Sequence, residues 1–406
     1  MPIEQGSPPA SFHVLAKPAG AICNLDCDYC FFLAKEELYP GSTFRMTPTV
    51  LEAYVSQLLA WHAAPEVSIA WQGGEPTLMG LDFYRQVMEL VARHRRPGQV
   101  IEHTIQTNAT LLDSAWAQFF AEHDFLVGVS IDGPAQLHDV YRRDKAGKPS
   151  FDRVVRGVRV LQDHGVRWNA LTTVNRANEE HGLEVYRFLR DELGAEYIQL
   201  IPVVERPSPG GIPVGAEVTD RSVRPDGYGV FLSEVFDEWV RRDVGRVYVQ
   251  MFDTTLANYL DVPGSMCVHA ATCGTALALE HNGDLYSCDH FVEPDYLLGN
   301  ITETPMLELI SSPEQVAFGQ AKRDSLPDYC RGCSVRFVCH GGCPKDRFTL
   351  TPDGEPGLHY LCPSYKAFFA HVDKPMRYMA GALRSGRYAD DVMAWMARMD
   401  GTTPAG

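Results

Sequence analysis

No uninterrupted apolar run in the 406 residues reaches the roughly 20 that a membrane-crossing helix requires. Met1 to Ser11 has neither a basic segment nor an apolar one, so no secretion signal is expected. Basic charge is scarce: 36 Lys and Arg stand against 52 Asp and Glu, a formal charge of −16. That balance argues against a broad surface for nucleic acid or anionic membrane and leaves room only for local basic pockets. Internal repeats are missing. The 11 cysteines are an odd number, which a pure disulfide framework does not accommodate. In a chain without an export signal, cysteines serve metals or catalysis more often than crosslinks, and the expected compartment is the cytoplasm. The length suffices for one large or two moderate domains with a sizeable core.

What is present begins with a βα series. Strands are expected near Phe12–Lys17, Val67–Trp71, Glu102–Gln106, Leu126–Ile131, Arg167–Val174 and Tyr197–Val203. Between them lie helical patterns: one from Pro48, capped by Thr47, with Leu51, Tyr54, Val55, Leu58 and Leu59 on one face. Others run Leu81–Arg95, from Asp113 or Ser114, Phe151–His164 and Glu179–Leu193. Six such repeats imply right-handed crossovers and a parallel α/β sheet. Six strands rather than eight predict a partial barrel open at one side, with its site at the C-terminal strand ends. A doubly wound sheet is the alternative. Residues 1–11 are expected to be a flexible lead-in, 12–240 the barrel, 241–375 a cysteine-rich domain and 376–406 a helical tail. Glu205–Gly227, rich in Pro, Gly and charge, reads as a linker or exposed loop.

The cysteines fall into two groups. Cys23, Cys27 and Cys30, spaced CxxxCxxC, follow the first strand. Iron–sulfur clusters usually take four Cys ligands, so three thiolates leave one iron open to a further ligand. Part of a zinc site is the competing reading. Gln72-Gly73-Gly74-Glu75-Pro76-Thr77 follows the second strand and, alone, is an ordinary βα turn. The other eight are Cys267, Cys273, Cys288, Cys330, Cys333, Cys339, Cys343 and Cys362, enough for two four-cysteine sites. Thiolates suit zinc and iron–sulfur clusters alike, so spacing does not decide the metal.

CxxxCxxC followed by GGEP resembles the radical S-adenosylmethionine (SAM) enzymes, and the eight-cysteine series resembles their SPASM extension. With AWQGGEPTLMG, TIQTNATLLD, FLVGVSIDGP and YSCDHFV, the chain from Phe12 to Phe369 is most similar to the anaerobic sulfatase-maturating enzymes. This resemblance implies a (β/α)6 TIM-like partial barrel with a C-terminal SPASM domain, three 4Fe–4S clusters and SAM. Cys23, Cys27 and Cys30 would hold the SAM cluster. Cys267, Cys273, Cys288 and Cys343 would hold auxiliary cluster I, and Cys330, Cys333, Cys339 and Cys362 auxiliary cluster II. Toward SAM it assigns Gly73 and Gly74, with Glu75 either structural or neutralising the methionyl ammonium. It further assigns Ser130 to the ribose, Arg142 (or Arg143) to the methionyl carboxylate and Tyr29 to the adenine or to shielding the cluster. Gln72 and Asn108 would face the substrate peptide.

The implied reaction turns a Cys or Ser in a Cys/Ser-x-Pro-x-Arg motif of a sulfatase into Cα-formylglycine. A 5′-deoxyadenosyl radical removes hydrogen from Cβ, then a proton and a second electron leave. Asp289 is the implied base; His290 is an alternative, its pKa lying nearer neutrality, and a turn carboxylate bonded to its own loop is the purely structural role. Auxiliary cluster I would accept the electron. The implied partners are an unfolded sulfatase segment and a donor such as flavodoxin or ferredoxin, with no nucleic acid and no membrane. The alternative function is a maturase forming thioether or carbon–carbon crosslinks in a ribosomal peptide. Phe32 stands where some maturases carry Tyr.

Overall fold

The computed structural model describes residues 12–262, 264 and 266–401; the expected flexible segment 1–11 and the last five residues lie outside them. The strands are β1 (His13–Ala16), β2 (Glu66–Trp71), β3 (Val100–Thr107), β4 (Phe125–Ser130), β5 (Arg167–Val174), β6 (Tyr197–Pro202), β7 (Tyr248–Val249), β8 (Ala276–Leu279), β9 (Asp284–Tyr286) and β10 (Leu297–Asn300). They form one sheet in the order β10-β9-β8-β1-β2-β3-β4-β5-β6-β7. From β8 through β1 to β7 every pairing is parallel, with Leu15 opposite Ala70 and His13 opposite Ala276. β9 and β10 add on antiparallel.

The six expected βα units are all there, and burial decides between barrel and doubly wound sheet. Along β3, His103, Ile105 and Thr107 are buried while Thr104 and Gln106 are half-open; along β5, Ala170, Thr172 and Val174 are buried while Asn169, Leu171 and Thr173 are half-open. A sheet covered by helices on both faces would be buried without alternation. Here helices cover one face and the other lines a polar lumen, the arrangement of a partial barrel. The helix Pro48–Trp61 starts where Thr47 Oγ1 accepts from Val50 N at 3.3 Å, and the helix Ser114–Glu122 where Asp113 Oδ1 accepts from Trp116 N at 3.1 Å. Under β2, Trp71 meets Tyr54, Phe83 and Tyr84 edge-on at 5.5 to 5.8 Å. Burying a large apolar side chain contributes about 1.5–3 kcal/mol each, so this aromatic cluster fixes the helices Pro48–Trp61 and Leu81–His94 to the sheet.

Two regions depart from the sequence reading. The sheet carries four strands beyond the six, and β8 to β10 come from the cysteine-rich part, so the C-terminal cysteines hang from the same sheet as the barrel. Residues 205–227 are an exposed loop, as one of the two readings had it, but one tied to the body rather than a free linker. Glu205 pairs with Arg221 at 2.9 Å, the turn Pro209–Gly211 accepts a hydrogen bond from buried Lys35, and Lys345 Nζ donates to Val204 O. The long helix Cys362–Arg384 packs on the helix Gly227–Arg242 at Gly229, where a Cβ would lie 2.7 Å from Ser364 O. Among the described residues no helix is long and apolar enough to cross a membrane.

Candidate active site

Residues 17–32 run from the C-terminal end of β1 and carry Cys23, Cys27 and Cys30. The GGEP turn lies directly on this loop: Gly74 N donates to Gly20 O and Glu75 N to Ile22 O, both at 2.8 Å. A Cβ on Gly74 would sit 2.0 Å from Ile22 O, and one on Gly73, at φ +119°, 2.9 Å from Gly20 O. The glycines are therefore required first by the loop's own backbone. Glu75 is wholly buried; Oε1 accepts from Thr77 N, Thr77 Oγ1 and Thr107 Oγ1, and Oε2 from Asn108 N, at 2.6 to 3.0 Å. Burial pushes its pKa up and these four donors pull against that. Of the two roles expected for Glu75 the geometry selects the structural one, a brace between the ends of β2 and β3. Asn108, expected to face the peptide, instead donates to Asn24 Oδ1 at 2.8 Å and touches Cys23 Sγ at 3.6 Å, while its oxygen accepts from Thr110. It holds the cysteine loop.

Arg142 lies beside Cys27, paired through Nε with Asp132 Oδ2 at 2.9 Å and with its guanidinium 5.5 Å from the Tyr29 ring. Tyr29 OH donates to the same Asp132 oxygen, and Thr173 N to the other at 3.0 Å. All three side chains are buried. Burial pushes the Asp132 carboxyl up, but Arg142 and His138 hold it below the usual range. Asp132, in the Asp132-Gly133-Pro134 turn after β4, was not singled out by sequence reasoning, although a buried Arg demands such a partner. Ser130 ends β4 and accepts from Gln106 Nε2 on the neighbouring strand β3 at 3.0 Å. Arg143 is exposed and points its backbone carbonyl at Asp26 N.

Asp289 follows Cys288 in the turn Asp289–Phe291 after β9, and its carboxylate pairs with Lys17 at the end of β1. Lys17 is 2% exposed, sits 4.1 Å over the Phe32 ring and reaches Gln72 Oε1 at 3.4 Å. One cluster thus joins Asp289 to the end of β1, the end of β2 and the segment after Cys30. Burial pushes Asp289 up, yet Lys17, His290 and Lys35 bring it below the usual carboxylate range, so it is ionised at neutral pH. Burial lowers His290 to about 4, which keeps it neutral there. Lys17 was missed by the sequence reading; its only signal was a lysine closing an apolar strand.

Three all-thiol groups emerge from mutual proximity. Cys27 has Cys23 and Cys30 as neighbours; Cys267 is a neighbour of Cys273, Cys288 and Cys343; Cys339 and Cys362 are both neighbours of Cys330 and Cys333. The last four line a small cavity of about 20 Å³ together with Tyr329 and Lys366. Burial pushes Cys23, Cys27, Cys339 and Cys343 up to about 12 and Cys362 to about 11, so these are neutral thiols until a metal displaces the protons. Among the described residues no three such donors converge tightly enough for a single ion. All-sulfur donor sets of this kind fit an iron–sulfur cluster.

The sequence profile of the Radical SAM superfamily matches residues 18–189, and that of the SPASM iron–sulfur cluster-binding domain matches residues 271–334. The chain is 44% identical to the serine-type anaerobic sulfatase-maturating enzyme of Bacteroides thetaiotaomicron over 391 residues, 94% of each protein. It is 33% identical to the cysteine-type enzyme of Clostridium perfringens, over 90% of this chain and 96% of that one. The solved structure of native anSMEcpe with bound AdoMet superimposes with a TM-score of 0.82 at 32% identity, covering 91% of this chain and 99% of that one. The same protein has been solved with AdoMet and the Cp18Cys peptide, again at a TM-score of 0.82. The chain belongs to the anaerobic sulfatase-maturating enzymes, radical SAM enzymes that carry a SPASM iron–sulfur domain.

Proposed function

We propose that this enzyme converts a Cys or Ser in a Cys/Ser-x-Pro-x-Arg segment of an unfolded sulfatase to Cα-formylglycine. The observation that carries the reading is the link between the two ends of the chain: Asp289, one residue after Cys288, is paired with Lys17 beside Gln72 and Phe32 at the rim of the CxxxCxxC loop. Residues 12–240 act as the SAM domain and 241–375 as the auxiliary-cluster domain. Three 4Fe–4S clusters would be held by Cys23, Cys27 and Cys30; by Cys267, Cys273, Cys288 and Cys343; and by Cys330, Cys333, Cys339 and Cys362. When bound, SAM and its cluster supply the 5′-deoxyadenosyl radical that takes hydrogen from the target Cβ, and an auxiliary cluster supplies the acceptor for the second electron.

The chain's own residues do the rest. Gly73 and Gly74 let the turn's N–H groups reach the carbonyls of the cysteine loop, Ser130 offers a hydroxyl from the end of β4, and Arg142, held by Asp132, presents a fixed positive charge to a carboxylate. Tyr29 shields the loop from water. Gln72 borders the peptide, and ionised Asp289 accepts the proton of the target thiol or hydroxyl once it lies within hydrogen-bond reach. Asn108 supports this arrangement through the loop. A low-potential carrier such as flavodoxin or ferredoxin provides the first electron, and the reaction belongs in the reducing cytoplasm, where thiols stay free. The identities of 33 to 44% with sulfatase-maturating enzymes favour this reading over peptide crosslinking.

The test is anaerobic turnover read by mass spectrometry, with Ser-x-Pro-x-Arg and Cys-x-Pro-x-Arg peptides and chemically reconstituted protein. The serine peptide comes first, since the serine-type relative is the more similar. The expected product is the aldehyde, trapped by a hydrazine reagent. SAM cleavage without any mass change in either peptide would contradict the substrate assignment.

A further inference from the structure

Two cations, one buried and one half-buried, stand among the eight C-terminal cysteines with no acidic partner. Lys322, on the helix Pro313–Asp324, is 1% exposed and donates from Nζ to the carbonyls of Cys267, Val268 (2.9 Å) and Ala270 (2.5 Å). Three carbonyl acceptors need three N–H donors, and only the protonated ammonium has three. The geometry therefore fixes its charge. Arg347 donates to the carbonyls of Gly341 (2.8 Å), Lys322 (2.6 Å), His340 (3.0 Å) and Gly342 (3.2 Å). Among the described residues neither cation forms an ion pair with Asp or Glu; the neighbouring carboxylate, Asp346, is taken by Lys345 at 2.6 Å.

A buried charge without a counter-ion is costly, and carbonyl dipoles offset only part of that cost. The acidic groups near Lys322 are the thiols of Cys267, Cys273 and Cys343, which turn negative when a cluster displaces their protons. Those near Arg347 are Cys330, Cys343, Cys339 and Cys273, which belong to both four-cysteine groups. The N-terminal loop is arranged the other way. There Arg142 is cancelled by Asp132, Lys17 by Asp289, and buried Glu75 adds a negative charge near Cys23.

We propose that Lys322 and Arg347 are the resident counter-charges of the auxiliary clusters and raise the reduction potential at Cys267, Cys273, Cys288 and Cys343 above that at Cys23, Cys27 and Cys30. This rests on the cluster assignment made above. Taking up an electron makes a cluster more negative, and a nearby fixed cation in a low-dielectric interior stabilises that state. The step served is a one-electron oxidation. The target Cβ radical loses its side-chain proton to a base and one electron to the cluster, which is reduced by one, and a carbon–sulfur or carbon–oxygen double bond forms.

The experiment is an electron paramagnetic resonance redox titration of reconstituted wild type, Lys322→Gln, Arg347→Gln and Arg347→Lys, with iron analysis of each. At the wild-type auxiliary midpoint the reduced-to-oxidised ratio should fall about tenfold in either neutral variant and stay near wild type in Arg347→Lys. Loss of iron from the neutral variants with full iron in Arg347→Lys would support the counter-charge role equally. An unchanged midpoint in iron-replete neutral variants would overturn it, and so would equal iron loss in Arg347→Lys and Arg347→Gln, because packing rather than charge would then be responsible. Failure of the underlying cluster assignment reads out separately, as wild-type iron below about 12 atoms per chain.

Discussion

Around Cys23, Cys27 and Cys30 each neighbouring buried cation answers to a carboxylate, Arg142 to Asp132 and Lys17 to Asp289. Around the C-terminal cysteines Lys322 and Arg347 answer only to backbone carbonyls. The ligands are the same chemically, so the difference lies in their number and in the fixed charge about them. Three thiolates in a charge-balanced, partly negative setting suit a strongly reducing centre with one open position. Four thiolates beside uncompensated cations suit a closed centre that accepts an electron. The fold keeps the two together, because β8, which leads toward Cys288 and Asp289, pairs directly with β1, which leads toward Lys17 and the first cysteines.

The strongest way to break this comparison is to remove one ligand from each side. Cys30→Ala should lose SAM cleavage entirely and about a third of the iron, while Cys333→Ala should lose a similar share of iron and keep SAM cleavage. Measured as 5′-deoxyadenosine formation in the same assay, equal behaviour of the two would erase the distinction. Next comes Asp289→Asn, which should lower aldehyde formation by about 10²- to 10⁴-fold while iron content and SAM binding persist. Wild-type turnover in that variant removes Asp289 from its role. Asp132→Asn leaves the buried Arg142 unpaired and should destabilise the fold by about 3–5 kcal/mol, read by chemical unfolding of the metal-free protein. Glu75→Gln presents an amide to donors that now meet a carboxylate and should cost about 1–3 kcal/mol by the same measurement. A neutral result there would make the turn, rather than its brace, the feature that shapes the loop.

Much of this was legible in the chain itself. The six βα units followed from periodicity, and Thr47 and Asp113 cap the helices as their positions suggested. The partition of eleven cysteines followed from motif resemblance and remains part of the proposal. Periodicity reports on one element at a time, and the rest depended on pairs far apart in sequence. Lys17 and Asp289 meet across 272 positions, and nothing local to either announces the other. β7 is two residues long, and β8 to β10 are three or four each, too short for alternation to register. Asn108 was read as facing the peptide because it follows a strand end, whereas its amide donates to Asn24 of the cysteine loop. The donors that brace Glu75 come from Thr77 and, outside its own turn, from Thr107 and Asn108, which could not be read from that turn. Nothing local to Lys322 sets it apart in the sequence; only the fold brings the carbonyls of Cys267, Val268 and Ala270 around it.

The division of labour between the two ends is tested most directly by the order of the cluster potentials in the wild-type enzyme. In an anaerobic titration followed by electron paramagnetic resonance, the signal that changes when SAM is added belongs to Cys23, Cys27 and Cys30. The account predicts that this signal appears last as the potential is lowered, after that of the cluster at Cys267, Cys273, Cys288 and Cys343. A SAM-sensitive signal that appears first would contradict it.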